Sequence, residues 1–205
     1  MKTKGIKIEK FSSEESWLEA RLGRVTGTRL GKLFSKRDKK PLKGFYEIIA
    51  ERVAIPVSDE GAMDRGKRLE GEALDRFAKE TGKKVNKDLV IISREDDESI
   101  AYSPDGYIGK TETVEVKCFN SASHIEAWIT KAIPSEYEEQ TLQPFIVNDK
   151  LKTLYFVFYD PRCPKIDFFF FEIKRKDVKE KVGEYLAMER EALKEIARIE
   201  KLLTF

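Results

Sequence analysis

Apolar residues recur along this chain with two different periods, and the changes of period divide it into elements. Ser12 and Glu15 have capping-box spacing, and Trp17, Leu18, Arg21 and Leu22 follow at helical intervals, so a helix is expected there. Gly23 breaks it, and after Thr26-Gly27-Thr28 a short helix is expected with Leu30, Leu33 and Phe34 on its apolar side. Pro41 suits the start of a further helix with the stripe Phe45, Ile48, Ile49 and Val53, and Pro56 to Gly61 reads as a loop. The strongest helical pattern is Arg65 to Thr81, closed by Gly82, with Leu69, Ala73, Leu74 and Phe77 as its buried stripe.

The period then falls to two. Lys84 to Ile92 and Ile100 to Tyr102 read as strands leading into a hairpin, Ser103 to Lys117, whose turn is Gly109-Lys110-Thr111-Glu112. His124, Ile125, Trp128 and Ile129 predict a helix after it. Ser135 and Glu138 again have capping-box spacing, and the helix they open is kinked or shortened by Pro144. Leu154 to Tyr159 and Ile166 to Ile173 are apolar on both sides and read as sheet interior. From Lys176 a long helix carries Val178, Val182, Tyr185, Leu193, Ile196 and Ile199, and either caps the sheet or meets another subunit.

The hairpin is where chemistry concentrates. Strand alternation puts Val114 and Val116 on one face and Glu115 and Lys117 on the other, with Asp105 across from them. Two carboxylates suit Mg²⁺, a hard cation that takes oxygen ligands and keeps several waters. Such an ion acidifies water and stabilises charge on a phosphoryl oxygen, and an adjacent lysine orients or deprotonates that water. These are the parts of phosphodiester hydrolysis. The same local pattern also occurs at Glu172-Ile173-Lys174, with Asp160 and Asp167 upstream, inside a strand that is apolar on both faces. The alternative for either pattern is a solvated strand face.

Composition narrows the partners. Lys and Arg number 39 against 37 Asp and Glu, a net charge of +2, so nucleic acid has to be met by a local basic patch. Ser35 to Lys43, SKRDKKPLK, is one such stretch, with a plain solvated loop as the other reading. Two cysteines and one histidine make neither a disulfide framework nor a good zinc set, and Cys118 reads as a structural thiol. With no apolar signal core or membrane-length run, cytoplasm is expected, and 1–205 reads as a single domain.

Further polar residues have two readings each. Arg21 and the Thr28 hydroxyl suit a phosphate pocket beside a helix N-terminus. The glycines there are not a P-loop, since Gly27 stands too close to Gly31-Lys32 and Leu33 replaces the Ser or Thr. Glu70, at the edge of its helix's stripe, is either a helix-favouring glutamate or a third carboxylate aimed at the hairpin. Tyr137 and Gln140, one turn apart, are ordinary surface or reach a phosphate or base, and His124 is more simply a packing residue than a catalyst.

Six separated stretches, SWLEARLGRVTGT, RGKRLEGEALDRFAKETG, YSPDGYI, VEVKC, IPSEYEEQ and LYFVFYDPR, occur in an order that resembles the phage lambda exonuclease family, the YqaJ-like viral recombinases among the PD-(D/E)xK nucleases. The resemblance runs from about Ser16 to Arg162. It implies an α/β fold with a restriction-endonuclease-like core, a mixed β-sheet flanked by helices, here followed by the long C-terminal helix. It also implies a single nuclease domain that degrades duplex DNA from 5′ to 3′, leaving 3′ overhangs for recombination. By motif, Asp105, Glu115 and the Val116 carbonyl bind Mg²⁺, for which Mn²⁺ substitutes, and Glu70 adds a carboxylate. Lys117 positions or activates water, Arg21 and Thr28 hold a 5′-phosphate, and Ser103, Tyr137 and Gln140 line the site. Double-stranded DNA ends, a homotrimer and a single-strand annealing protein are the partners it implies. Two departures are Arg24, a rival to Arg21, and Pro144-Phe145, which sets a DNA-facing Gln143 in question. The competing readings are a related endonuclease or single-strand nuclease, and a DNA-end-binding module that does not cut.

Overall fold

The computed structural model describes residues 5–42, 44, 45, 48, 51, 52, 64–119 and 121–203, of which 64–68 and 121–123 by backbone alone. The strands divide between two sheets. In the first, β1 (Ile6–Lys10), β2 (Val90–Arg94) and β3 (Ala101–Tyr102) run antiparallel in chain order. In the second, β4 (Gly106–Ile108), β5 (Glu112–Lys117), β6 (Thr153–Tyr159) and β7 (Phe168–Lys174) lie in the order β4-β5-β6-β7. This sheet is mixed: β5 and β6 are parallel, and the other two pairings are antiparallel. A parallel pair needs a crossover. Here it consists of α4 (Ser121–Thr130), a 3₁₀ turn (Ser135–Tyr137) and α5 (Glu138–Val147).

The remaining helices are α1 (Glu14–Arg21), α2 (Gly27–Leu30), α3 (Asp64–Thr81) and α6 (Arg175–Leu203). Helix α3 follows the predicted bounds closely, and Gly82 ends it with φ +67° and its N–H on the Ala78 carbonyl at 2.9 Å. Its stripe of Ala73, Leu74 and Phe77 packs on Val114, Val116, Tyr155 and Val157. Full burial of one such aromatic contributes about 1.5–3 kcal/mol. That packing turns Glu115 and Lys117 to the opposite face of β5. A larger core joins the first sheet to α2, α5 and α6, through Leu30, Val90, Ile92, Phe145, Val182 and Ile196 among others. Among the described residues no helix is long and apolar enough to cross a membrane.

Several expectations change. The cap of α1 is Ser13, whose hydroxyl accepts from the Ser16 N–H, and not Ser12. The helix after Thr28 is a single turn, so it supplies little helix dipole. Pro41 opens no helix; it bridges Phe34, and Gly44 and Phe45 have helical backbone. Ile49, Val53 and Pro56 to Gly61 lie outside the described residues. Strand β2 starts only at Val90 and pairs with β1, so it builds the separate sheet and does not extend the hairpin. Ser135 makes no side-chain cap: it lies inside the 3₁₀ turn, and the Glu138 N–H donates to its backbone carbonyl and not to its hydroxyl, while the Glu138 side chain pairs with Lys36 and Lys181. Helix α5 runs three residues past Pro144. The ring leaves the Gln140 carbonyl without its intrahelical donor, on the side where α2 approaches. Strand β7 is an edge strand and not sheet interior; its phenylalanines are half-buried, against α3 on one face and Phe156 and Phe158 on the other. His124 is buried, its Nε2 2.7 Å from the Ile166 carbonyl and its ring on Phe169, which leaves it a packing role.

Candidate active site

The hairpin forms as its sequence predicts. Gly109 takes the turn at φ +59°, and Gly106, Tyr107 and Ile108 pair with Val114, Thr113 and Glu112. Asp105, one residue before β4, accepts the Val116 N–H on Oδ2 at 2.6 Å, which draws its carboxylate against the outgoing strand. Glu115 is 8% exposed, and its Oε1 accepts from Lys117 Nζ at 2.9 Å and from the Gln140 side chain. Lys117 Nζ also lies 5.2 Å from the Tyr137 ring centroid. So α5 and the 3₁₀ turn deliver Gln140 and Tyr137 to the polar face of β5, while α3 covers the apolar one.

Glu70 reaches the same place from the edge of the α3 stripe. It shares a cavity of about 170 Å³ with Asp105, Trp17, Gly71 and Pro104. Burial, reinforced by the negative charge of Glu115, pushes its carboxyl up to about 7. Asp105 is raised well above an ordinary aspartate, first by burial and then by Glu115 and Glu70. Burial works against the Lys117 ammonium, but Glu115 and Asp105 outweigh it and hold its pKa above the usual lysine value. Lys117 is therefore a donor at neutral pH. Burial, with Glu70 and Asp105 nearby, pushes the Cys118 thiol up to about 12, so it stays protonated and packs with Val114 and Val116 as expected.

The two arginines separate cleanly. Arg24 pairs with Glu9 at 3.0 Å on the first sheet. Arg21 turns inward: burial lowers its pKa, opposed by Glu115, Asp105 and Glu70. Its guanidinium sits 4.5 Å from the ring centroid of Trp17, and the Trp17 indole is fixed by a 3.0 Å bond to the Val90 carbonyl. Sequence reasoning missed this support for Arg21, although the Trp–Arg i, i+4 spacing was its signal. Thr28 lies in the single turn of α2. It lines a cleft of about 560 Å³ together with Gly27, Lys32, Lys36, Tyr137 and Gln140. Ser103 Oγ is buried and has no hydrogen-bond partner among the described residues, two positions from Asp105. Gln143 is fully buried, its amide donating to the Val25 and Ala101 carbonyls and to Glu189, so it faces the core and not DNA.

Glu70 and Asp105, both raised by burial and by the nearby negative charge of Glu115, mark a site that favours added positive charge. Among the described residues no three Asp, Glu, His or Cys side chains are gathered closely enough to enclose a metal ion. Mg²⁺ does not need such a cage: it takes one or two carboxylates and keeps much of its water. Asp105 and Glu115, with Glu70 beside them, fit that ion in donor type and charge.

The fold as a whole is similar to solved structures. The solved structure of an alkaline exonuclease, LHK-Exo from Laribacter hongkongensis, superposes with a TM-score of 0.81 and 29% identity, over 92% of this chain and 95% of that one. Its complex with dAMP superposes with a TM-score of 0.75 and 29% identity, over 91% and 96%. No curated protein matches the sequence. The fold is thus the PD-(D/E)xK-like fold of an alkaline exonuclease. Residues 16–150 match the model of the YqaJ-like viral recombinase domain, and the chain belongs to that family.

Proposed function

We propose that this protein is a Mg²⁺-dependent deoxyribonuclease that degrades one strand of duplex DNA from its 5′ end, leaving a 3′ single-stranded overhang. The observation that carries the reading is the convergence of Glu70, Asp105, Glu115 and Lys117 at the end of β5. The similarity to an alkaline exonuclease, solved also with dAMP, supports it.

Asp105, Glu115 and the Val116 carbonyl would hold the cation, with Glu70 as the additional carboxylate. When bound, the cation supplies charge stabilisation at the phosphoryl group and acidifies water. The protein's own residues do the positioning. Lys117, held as an ammonium by Glu115 and Asp105, donates toward water or the phosphoryl oxygens. Arg21, kept rigid on Trp17, offers a planar donor fork to a terminal phosphate. The Thr28 hydroxyl joins Arg21 in holding that phosphate, Tyr137 and Gln140 line the site, and Ser103 offers its unused hydroxyl near the scissile group. Assembly as a homotrimer and transfer of the overhang to an annealing protein complete the proposal, on the family resemblance alone.

Digestion of a linear duplex carrying a 5′-phosphate, beside a covalently closed circle, tests this function. Mg²⁺-dependent loss of the 5′-ended strand with the circle intact is expected. Cutting of the circle would convert the reading to an endonuclease. Binding without cutting under any divalent cation would leave a DNA-end-binding module.

A further inference from the structure

Helix α5 brings Gln140 to Glu115, yet its first turn has no side-chain cap to fix it. What fixes it is a set of contacts just outside the site. Gly27 and Gly31, one turn apart, present a notch to α5. A Cβ on Gly27 would fall 3.3 Å from the Gln140 Cα and carbonyl oxygen, and one on Gly31 would fall 2.7 Å from Glu139 Cδ. Glu139, 7% exposed, fills that notch. Its carboxylate takes Lys36 Nζ at 2.7 Å and the Tyr185 hydroxyl at 3.3 Å. Lys36 also reaches Glu138 at 3.5 Å, and Lys181 of α6 holds Glu138 from the other side. The basic loop after α2 and the long C-terminal helix are thus tied together through the two residues that precede Gln140.

We propose that Lys36 is a positioning residue: through Glu139 it sets the first turn of α5, so that the Gln140 amide meets Glu115. This inference rests on the nuclease reading of the site. It gives Lys36 a role different from a phosphate contact, although it lies in the basic loop that offers itself for DNA. The side chain is 60% exposed, so Lys36→Met is expected to keep the fold. A displacement on the order of 1 Å in a catalytic group costs up to about a hundredfold in rate.

The test is single-turnover cleavage of a 5′-phosphorylated duplex by five proteins: wild type, Lys36→Met, Lys36→Arg, Gln140→Ala and the Lys36→Met/Gln140→Ala double variant. Lys36→Met is expected to lower the cleavage rate about tenfold with the DNA Kd within about twofold of wild type, and Lys36→Arg to restore most of it. In the Gln140→Ala background the same change is expected to cost less than about twofold, because both act through one group. A tenfold loss in both backgrounds would overturn the inference, as would an unchanged rate with weakened, less salt-sensitive DNA binding. Thermal unfolding separates misfolding: if Lys36→Met melts well below wild type, the lysine serves the fold and the proposal fails. If wild type cuts and Lys36→Met cuts equally, the positioning role alone falls. Wild type that does not cut takes the nuclease reading and this inference down together.

Discussion

Two strands of this protein carry the same three-residue pattern, and only around one do further charged residues gather. In β5, Glu115-Val116-Lys117 lies between β4 and β6, with the Lys117–Glu115 pair at 2.9 Å and side chains 17% and 10% exposed. In β7, Glu172-Ile173-Lys174 lies on the sheet edge, with the pair at 3.8 Å and side chains 53% and 46% exposed. The acids near β7 are engaged elsewhere: Asp160 is bonded to Arg162, and Asp167 faces Arg76. Around β5, by contrast, Asp105, Glu70 and Arg21 arrive from three other segments. What separates the two is position in the sheet, since an interior strand can be surrounded and an edge strand is open to water. Charged pairs in water contribute little, about 0–1 kcal/mol, whereas the same groups in a buried cluster shift one another's protonation.

The largest effect separating them is catalytic. Lys117→Ala is expected to reduce cleavage by at least about a thousandfold with folding preserved, and Lys174→Ala by less than about twofold, measured as initial rates on the same duplex. Equal effects at the two strands would break the comparison.

Burial of a carboxylate is not enough by itself, and Glu189 makes that point. It is fully buried where α6 meets α5, accepts from the Gln143 amide at 2.9 Å, and burial pushes it up to about 8. Its Oε2 and the Gln143 Oε1 have no partner among the described residues, and a proton on the carboxyl is the donor such a pair lacks. Raised above its unfolded value of about 4.3, Glu189 keeps its proton in the folded state while the unfolded chain has lost it. Its contribution to stability is therefore full below about pH 4 and falls as pH rises toward about 8. Glu189→Gln should flatten that fall and stabilise the protein at pH 8, on the order of a few kcal/mol, seen in urea unfolding at several pH values. It should leave cleavage unchanged, which sharpens the contrast with Glu70 and Asp105.

The sequence made much of this site legible because its central parts are local. A hairpin and strand alternation place Asp105, Glu115 and Lys117 within thirteen positions of one another. The stripe of α3 gave the helix that bears Glu70 but not where it docks, so periodicity alone left that residue open and the family resemblance assigned it. Arg24 is drawn to a partner on β1, a strand whose two apolar positions, Ile6 and Ile8, were too few to announce it. The capping box at Ser135 failed because a 3₁₀ turn, which the spacing does not announce, takes in Ser135 and gives the Glu138 N–H to its backbone carbonyl. The misreading of β7 has the same origin: four phenylalanines report two covered faces and say nothing about the free edge.

The central claim is that the carboxylates gathered at β5 hold a divalent cation and those at β7 do not. Calorimetric titration of Mg²⁺ into wild type, Asp105→Asn and Glu172→Gln near pH 7, in buffers of different ionisation enthalpy, tests it most directly. Because Glu70 is pushed up to about 7 and Asp105 is raised by burial and the neighbouring carboxylates, binding should release protons, and affinity should rise as pH increases through about 7. The account predicts binding with proton release in wild type and Glu172→Gln, and its loss in Asp105→Asn. Wild-type affinity in Asp105→Asn, or loss of binding in Glu172→Gln, would contradict it.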